Sequence, residues 1–180
     1  MQQPTMKLTF CETGSDRVAD PPGMAWRVDL VRAGGAEAGG LVVICGGEQA
    51  AEPPREGGGG FYEGRLVSDT DAEPVRPPSA GALYLVAFEV PAADAPALED
   101  WYATEHVPQM MRVPGWRRIQ CMRAERTGGR PFTHLALHWV DGPATLDLPE
   151  RKAASLGPKR DLICARDWFV QGGRWIYEMP

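Results

Sequence analysis

The chain has 180 residues, 43% of them apolar, and a formal net charge of −5. Those values suit one or two compact units of roughly 100 residues each, give no basic footprint for nucleic acid and, with no run of ~18 apolar residues, exclude a membrane-spanning helix. No cationic segment leads into an apolar one near the start, so no secretory signal is expected, and Cys11, Cys45, Cys121 and Cys164 form neither a CxxC pair nor a zinc-type spacing, which suits reduced, packed thiols in a cytoplasmic protein.

Four strands are expected in the first half, over residues 6–11, 24–31, 41–45 and 61–67. The second shows the clearest period of two, with Trp26, Val28 and Leu30 set against Arg27 and Asp29. Residues 48–60, with Pro53-Pro54 and the run Gly57 to Gly60, read as a flexible surface loop. They lack the Lys-Ser/Thr pair of a phosphate-cradling loop. A second linker, rich in proline at Pro74, Pro77 and Pro78, divides a strand-rich N-terminal half, residues 1–80, from a more regular half, residues 81–180.

The second half predicts a strand at 82–90 and a helix at 94–111, with Asp94 as N-cap and Pro96 in the first turn. Pro108 should kink or stop that helix, because it has no N–H to donate. A strand at 116–125 follows, with Trp116, Arg118, Gln120 and Met122 on one face. Next come a hairpin turn at 127–129, a strand at 132–140, a helix at 146–156 stopped by Gly157-Pro158, and a strand at 168–177, bent at Gly172-Gly173. The order βαββαβ is the ferredoxin-like α+β arrangement. Its helices cover one sheet face, and the other needs a second sheet, from another copy or from the N-terminal half.

Tyr102 and His106 are one helical turn apart on one face. A phenol and an imidazole held there can move protons around a small organic molecule, with His106 as general base or acid near its free pKa of ~6.5 and Tyr102 as donor to a carbonyl or enolate oxygen. The plainer alternatives are a His106 packed at the Pro108 kink and a Tyr102 with its hydroxyl at the surface. Trp101 reads as core; Glu105 either orients His106 or, the favoured reading, is solvated. His134 and His138 share a strand face about 13 Å apart, too far for one metal with ligands at ~2 Å. One should line a cavity and the other sit near an edge; His134 is the candidate for the cavity. Arg118 and Gln120 are candidate cavity residues as well, Arg118 suiting a carboxylate or enolate oxygen. No Gly-x-Ser-x-Gly elbow, dinucleotide fingerprint or metal cluster is present, so neither a metal nor an obligatory cofactor is expected.

Phe88-Glu89-Val90, then Leu98-x-x-Trp101-Tyr102-x-x-Glu105-His106-x-Pro108, then Val113-Pro114-Gly115-Trp116, resemble the dimeric α/β-barrel superfamily, and within it the EthD-like members. Residues 149–154 resemble the second helix of that family and 174–177 its last strand, so the likeness spans 81–177. The resemblance implies two ferredoxin-like units joined sheet to sheet, through a homodimer or through a monomeric pseudo-dimer. In the second case the N-terminal half is a degenerate repeat or a barrel-completing extension. It also implies a cavity for a small, aromatic or polyketide-like molecule, with His106 and Tyr102 as the acid–base pair; beside it, the residues themselves offer Trp101, Trp116, Arg118, Gln120 and His134 as candidates for contact with the substrate. The expected function is a cofactor-independent lyase, isomerase or cyclase acting on an enolisable substrate. The alternatives are a non-catalytic ligand-binding protein of the same fold and a cofactor-free monooxygenase.

Overall fold

Eight antiparallel strands close into a barrel in the computed structural model, which describes residues 7–13, 24–32, 41–47, 61–70 and 81–179. The strands are β1 (Lys7–Thr13), β2 (Met24–Arg32), β3 (Leu41–Gly47), β4 (Phe61–Asp69), β5 (Ala82–Phe88), β6 (Trp116–Gly128), β7 (His134–Val140) and β8 (Gly173–Glu178). The Gly57 to Gly60 run, most of the proline-rich linker and the side chains of Cys11 and Cys45 lie outside the described residues.

Around the barrel the order is β1-β3-β2-β8-β5-β7-β6-β4. The last four strands therefore run β8-β5-β7-β6, the ferredoxin-like order, and the first four run β4-β1-β3-β2, the same order. Two seams join the halves. β4 pairs with β6 along its length, from Phe61↔Gly128 to Asp69↔Gln120, while β2 meets β8 only at Val31↔Glu178 and Arg32↔Tyr177. The face of β5–β8 turned away from the helices is covered from within the same chain.

Alternation explains the two layers of the core. Leu83, Leu85 and Ala87 of β5 and Leu135, Leu137 and Trp139 of β7 point into the barrel, where they meet Met122 and Tyr177. The intervening Val86, Phe88 and Ala136 pack against the helices. Every residue of β7 is buried, as befits a strand with neighbours on both edges and layers on both faces. β7 has no free edge, so His138 is not an edge residue.

The helix layer departs from expectation in five places. The first helix is α1 (Ala95–Trp101), a π-helical turn (Tyr102–His106) and α2 (Val107–Met110). The helix neither stops nor breaks at Pro108. The wider turn before it, in which the Val107 N–H donates to the Tyr102 carbonyl, carries the chain past the missing donor. Asp94 does not cap with its side chain; its Oδ2 accepts the Trp168 indole N–H at 2.8 Å instead. The expected second helix is split into a 3₁₀ segment (Pro143–Asp147) and α3 (Pro149–Ala153). Gly157-Pro158 ends one helix but also opens another, α4 (Pro158–Cys164), since proline fits a first helical turn. Trp168 belongs to a further short helix, α5 (Asp167–Val170), and the last strand starts only at Gly173.

Candidate active site

The π-helical turn aims Tyr102 and His106 to one side. Their ring centroids lie 4.9 Å apart, and the His106 ring lies 5.7 Å from that of His138 on β7. The three rings line a cavity of about 170 Å³ between the helices and β5, β7 and β8. Trp116 closes one end, with its indole N–H donating to His138 Nδ1 at 3.2 Å. Trp101 lies behind His106, ring centroids 4.6 Å apart. Arg151 of α3, Ser155 after it, Arg160 of α4 and Arg174 of β8 add to the polar part of the lining.

Burial governs the proton equilibria here. It lowers the His106 pKa to about 4, with further lowering by the Arg151 and Arg160 charges, so the ring is neutral at neutral pH. Burial also holds His138 well below the usual imidazole range, and His106 and Arg151 act in the same direction. Because an indole can only donate, Nδ1 of His138 must be the acceptor, which assigns the proton of the neutral ring to Nε2. Burial raises the Tyr102 hydroxyl well above its ordinary value, keeping it a donor. The hollow therefore combines an unprotonated His106 with two neutral donors, Tyr102 and His138.

Glu105 supports this arrangement from behind. Its Oε1 accepts the Trp101 indole N–H at 3.2 Å and the Arg160 backbone N–H at 3.0 Å, and its Oε2 accepts the Lys159 N–H at 3.3 Å. The carboxylate thus ties the first helix to the start of α4 rather than standing in solvent. Its approach needs a residue without Cβ at 157: a Cβ on Gly157 would lie 2.3 Å from Glu105 Oε1.

A larger cavity, of about 330 Å³, opens on the far side of Tyr102, which with Phe88 borders both. His134 lines it, with Nδ1 3.0 Å from the Thr133 hydroxyl and Nε2 3.5 Å from Glu99. This second hollow also carries titratable groups, Glu99, Cys121 and His134; the smaller one is distinguished by two imidazoles and a phenol whose ring centroids lie within 6.5 Å of one another, which makes it the better candidate for acid–base chemistry.

Arg118 and Gln120 reach neither hollow. β6 is bulged between Trp116 and Arg118, with Trp116 opposite Val140 and Arg118 opposite Trp139. The irregularity reverses the facing of the strand beyond it, so Trp116 lies with the helices while Arg118, Gln120 and Met122 do not share its side. Arg118 Nε donates to Asp69 Oδ1 at 2.8 Å, and Gln120 links Asp69 Oδ2 to the Trp139 indole at 2.9 Å each. These groups form a polar network inside the barrel. Of the expected site residues, the structure brings together Tyr102, His106 and Trp116, backs them with Trp101, sets His134 in the neighbouring hollow and keeps Arg118 and Gln120 apart. His138 and the three arginines were not singled out from sequence for this cavity. The parity of β7 was the available signal, since His138 shares its face with Ala136, which packs on the helices.

Among the described residues, no group of three or more His, Cys, Asp or Glu side chains can hold a metal ion, and no helix is long and apolar enough to cross a membrane. Cys121 and Cys164 are free thiols.

An anthrone oxidase-like protein superposes with a TM-score of 0.62 at 11% identity, over 99% of this chain and 92% of the other. A ferredoxin-fold protein from Listeria monocytogenes, described as related to antibiotic biosynthesis monooxygenases, gives 0.58 at 14% identity, over 98% and 95%. The chain has the ferredoxin-like α/β-barrel fold. A heme-degrading enzyme, also from Listeria monocytogenes, shares that fold with a TM-score of 0.55 at 13% identity, over 96% of this chain and 99% of the other. No protein-family model and no curated protein matches the sequence.

Proposed function

We propose that the protein is a cofactor-free oxygenase acting on an enolisable aromatic substrate, a ketone whose ring system activates a methylene group. The observation that carries this reading is that His106, Tyr102 and His138 line one hollow with their rings 4.9–6.5 Å apart, His138 holding its proton on Nε2. His106 takes a proton from the methylene. Tyr102 and His138 donate to the enolate oxygen, the role of an oxyanion hole. A base with a pKa of about 4 is weak when the hollow is empty, but the negative charge that forms beside it offsets Arg151 and Arg160 and raises its basicity as the proton arrives. The electron-rich carbanion then reduces dioxygen: the CH2 group and O2 become a C=O group and one water.

The likeness to an anthrone oxidase-like protein and to a protein described as related to antibiotic biosynthesis monooxygenases favours an oxygen step over a lyase or isomerase reaction. At about 170 Å³ the hollow is smaller than typical ligand sites of ~300–1,000 Å³, so the substrate extends past Tyr102 toward the His134 side. The test is oxygen uptake with anthrone under conditions of slow autoxidation, using labelled dioxygen. Uptake faster than the background, with label in the new carbonyl and dependence on His106, is expected. Deuterium exchange at the methylene without oxygen uptake would leave the proton transfer and favour the isomerase-type chemistry instead. Saturable binding with neither result would make this a ligand-binding protein.

A further inference from the structure

The hollow is strongly asymmetric in charge. Arg151, Arg160 and Arg174 line it and, among the described residues, no Asp, Glu or Lys does, in a chain whose net charge is −5. Arg174 already has partners: its guanidinium donates to the Gly172 and Phe169 carbonyls and lies over the Phe88 and Phe169 rings. The other two have little to neutralise them. Arg151 Nε is buried and, among the described residues, has no hydrogen-bond partner. Arg160 Nη1 stands 3.8 Å from an exposed Asp161, beyond hydrogen-bonding range. Glu105, the nearest carboxylate in sequence to His106, is engaged by the backbone of α4. Burying a guanidinium nitrogen without an acceptor is costly, and a planar fork of donors is best satisfied by a carboxylate.

From this we infer that the ligand carries a fixed negative charge, a carboxylate attached to its aromatic system, and that Arg151 and Arg160 hold it at the α3–α4 side of the hollow. The inference rests on the proposed site and adds the substrate class: an aromatic ketone that also bears a carboxylate, of which neutral anthrone is the uncharged analogue. The carboxylate would anchor the molecule, leaving its rings against Tyr84, Phe169 and Trp116.

The test compares 1-naphthoate with its neutral isostere 1-naphthamide, by calorimetry and by quenching of tryptophan fluorescence. The wild-type protein should bind naphthoate at least about tenfold more tightly, as one charge-assisted contact provides, and the preference should shrink with added salt. Arg151→Gln and Arg160→Gln should each lose most of that preference, with naphthoate affinity falling by a larger factor than naphthamide affinity. If either variant fails to fold, the wild-type comparison and its salt dependence still decide. Equal binding of the two probes, binding of neither, or a naphthoate preference that survives both substitutions overturns the inference. Turnover is not needed: naphthoate selectivity without oxygen uptake keeps this inference and removes the oxygenase reading, while oxygen uptake without selectivity does the reverse.

Discussion

The indole N–H of Trp116 and Nδ1 of His138 meet at 3.2 Å in the buried wall between β6 and β7. The contact exists because the bulge after Trp116 turns that side chain toward the helices. It holds His138 as the Nε2–H tautomer. Trp116→Phe should keep the packing but release the tautomer. Imidazole nitrogen NMR should then show both neutral forms of His138, with a stability loss of about 1 kcal/mol, the usual net worth of one hydrogen bond. A single Nε2–H form in the variant would separate the tautomer from the indole.

His106→Ala should reduce turnover by ~10²–10⁴-fold, as expected for loss of a general base. Tyr102→Phe, which removes one donor to a developing oxyanion, should cost ~10²–10³-fold in kcat with a smaller change in KM. Steady-state oxygen consumption measures both, and unchanged kcat in either would remove that residue from the chemistry.

All three histidines of the chain, His106, His134 and His138, have pKa values lowered, chiefly by burial. The unfolded chain therefore takes up protons at a higher pH than the folded one. Their contribution to stability is complete above the ordinary value of 6.5 and is lost as the pH falls toward about 4, the folded value for His106. For His106 the loss should be on the order of 2–3 kcal/mol. Denaturant melts between pH 7 and pH 4 test this, and His106→Gln should flatten the curve.

Asp69 is 8% and Arg118 4% exposed in their side chains, so their ion pair is well removed from water. Asp69→Ala leaves Arg118 and Gln120 without that acceptor and should destabilise the protein by about 3–5 kcal/mol. Naphthoate affinity should not change, because the network lies inside the barrel and away from His106. A matched loss of affinity in folded protein would bring Arg118 back into the binding site.

Glu105→Ala frees two backbone donors of α4 and the Trp101 indole. A loss of about 1–2 kcal/mol is expected, together with weaker naphthoate binding through a displaced Arg160. Glu105→Gln, which retains one carbonyl acceptor, should recover part of both in the same melts and titrations.

The strand pattern of the second half was readable because β5 and β7 alternate between two buried layers. Period two survives full burial there only as a difference in residue size and polarity. The Tyr102–His106 spacing was readable because a π-helical turn still keeps residues four apart adjacent. Arg118 and Gln120 were misassigned for one physical reason: a bulge shifts facing by one residue and leaves no composition signal. The α4 and α5 helices were missed because Pro158 is both a stop and a start, and because Trp168-Phe169-Val170 has strand propensity that docking on Phe88 and Asp94 overrides. Arg151 and Arg160 lie on separate short helices, and only tertiary packing makes them neighbours of His106.

A barrel closed within one polypeptide needs no second copy to complete its ring of strands. Its thermal midpoint should not move on dilution, as that of a shared two-chain barrel would. The same closure frees the halves from symmetry. In a homodimer every substitution is written twice, once on each side, whereas here a substitution on the Tyr102–His106 side is made once and leaves the first four strands unaltered.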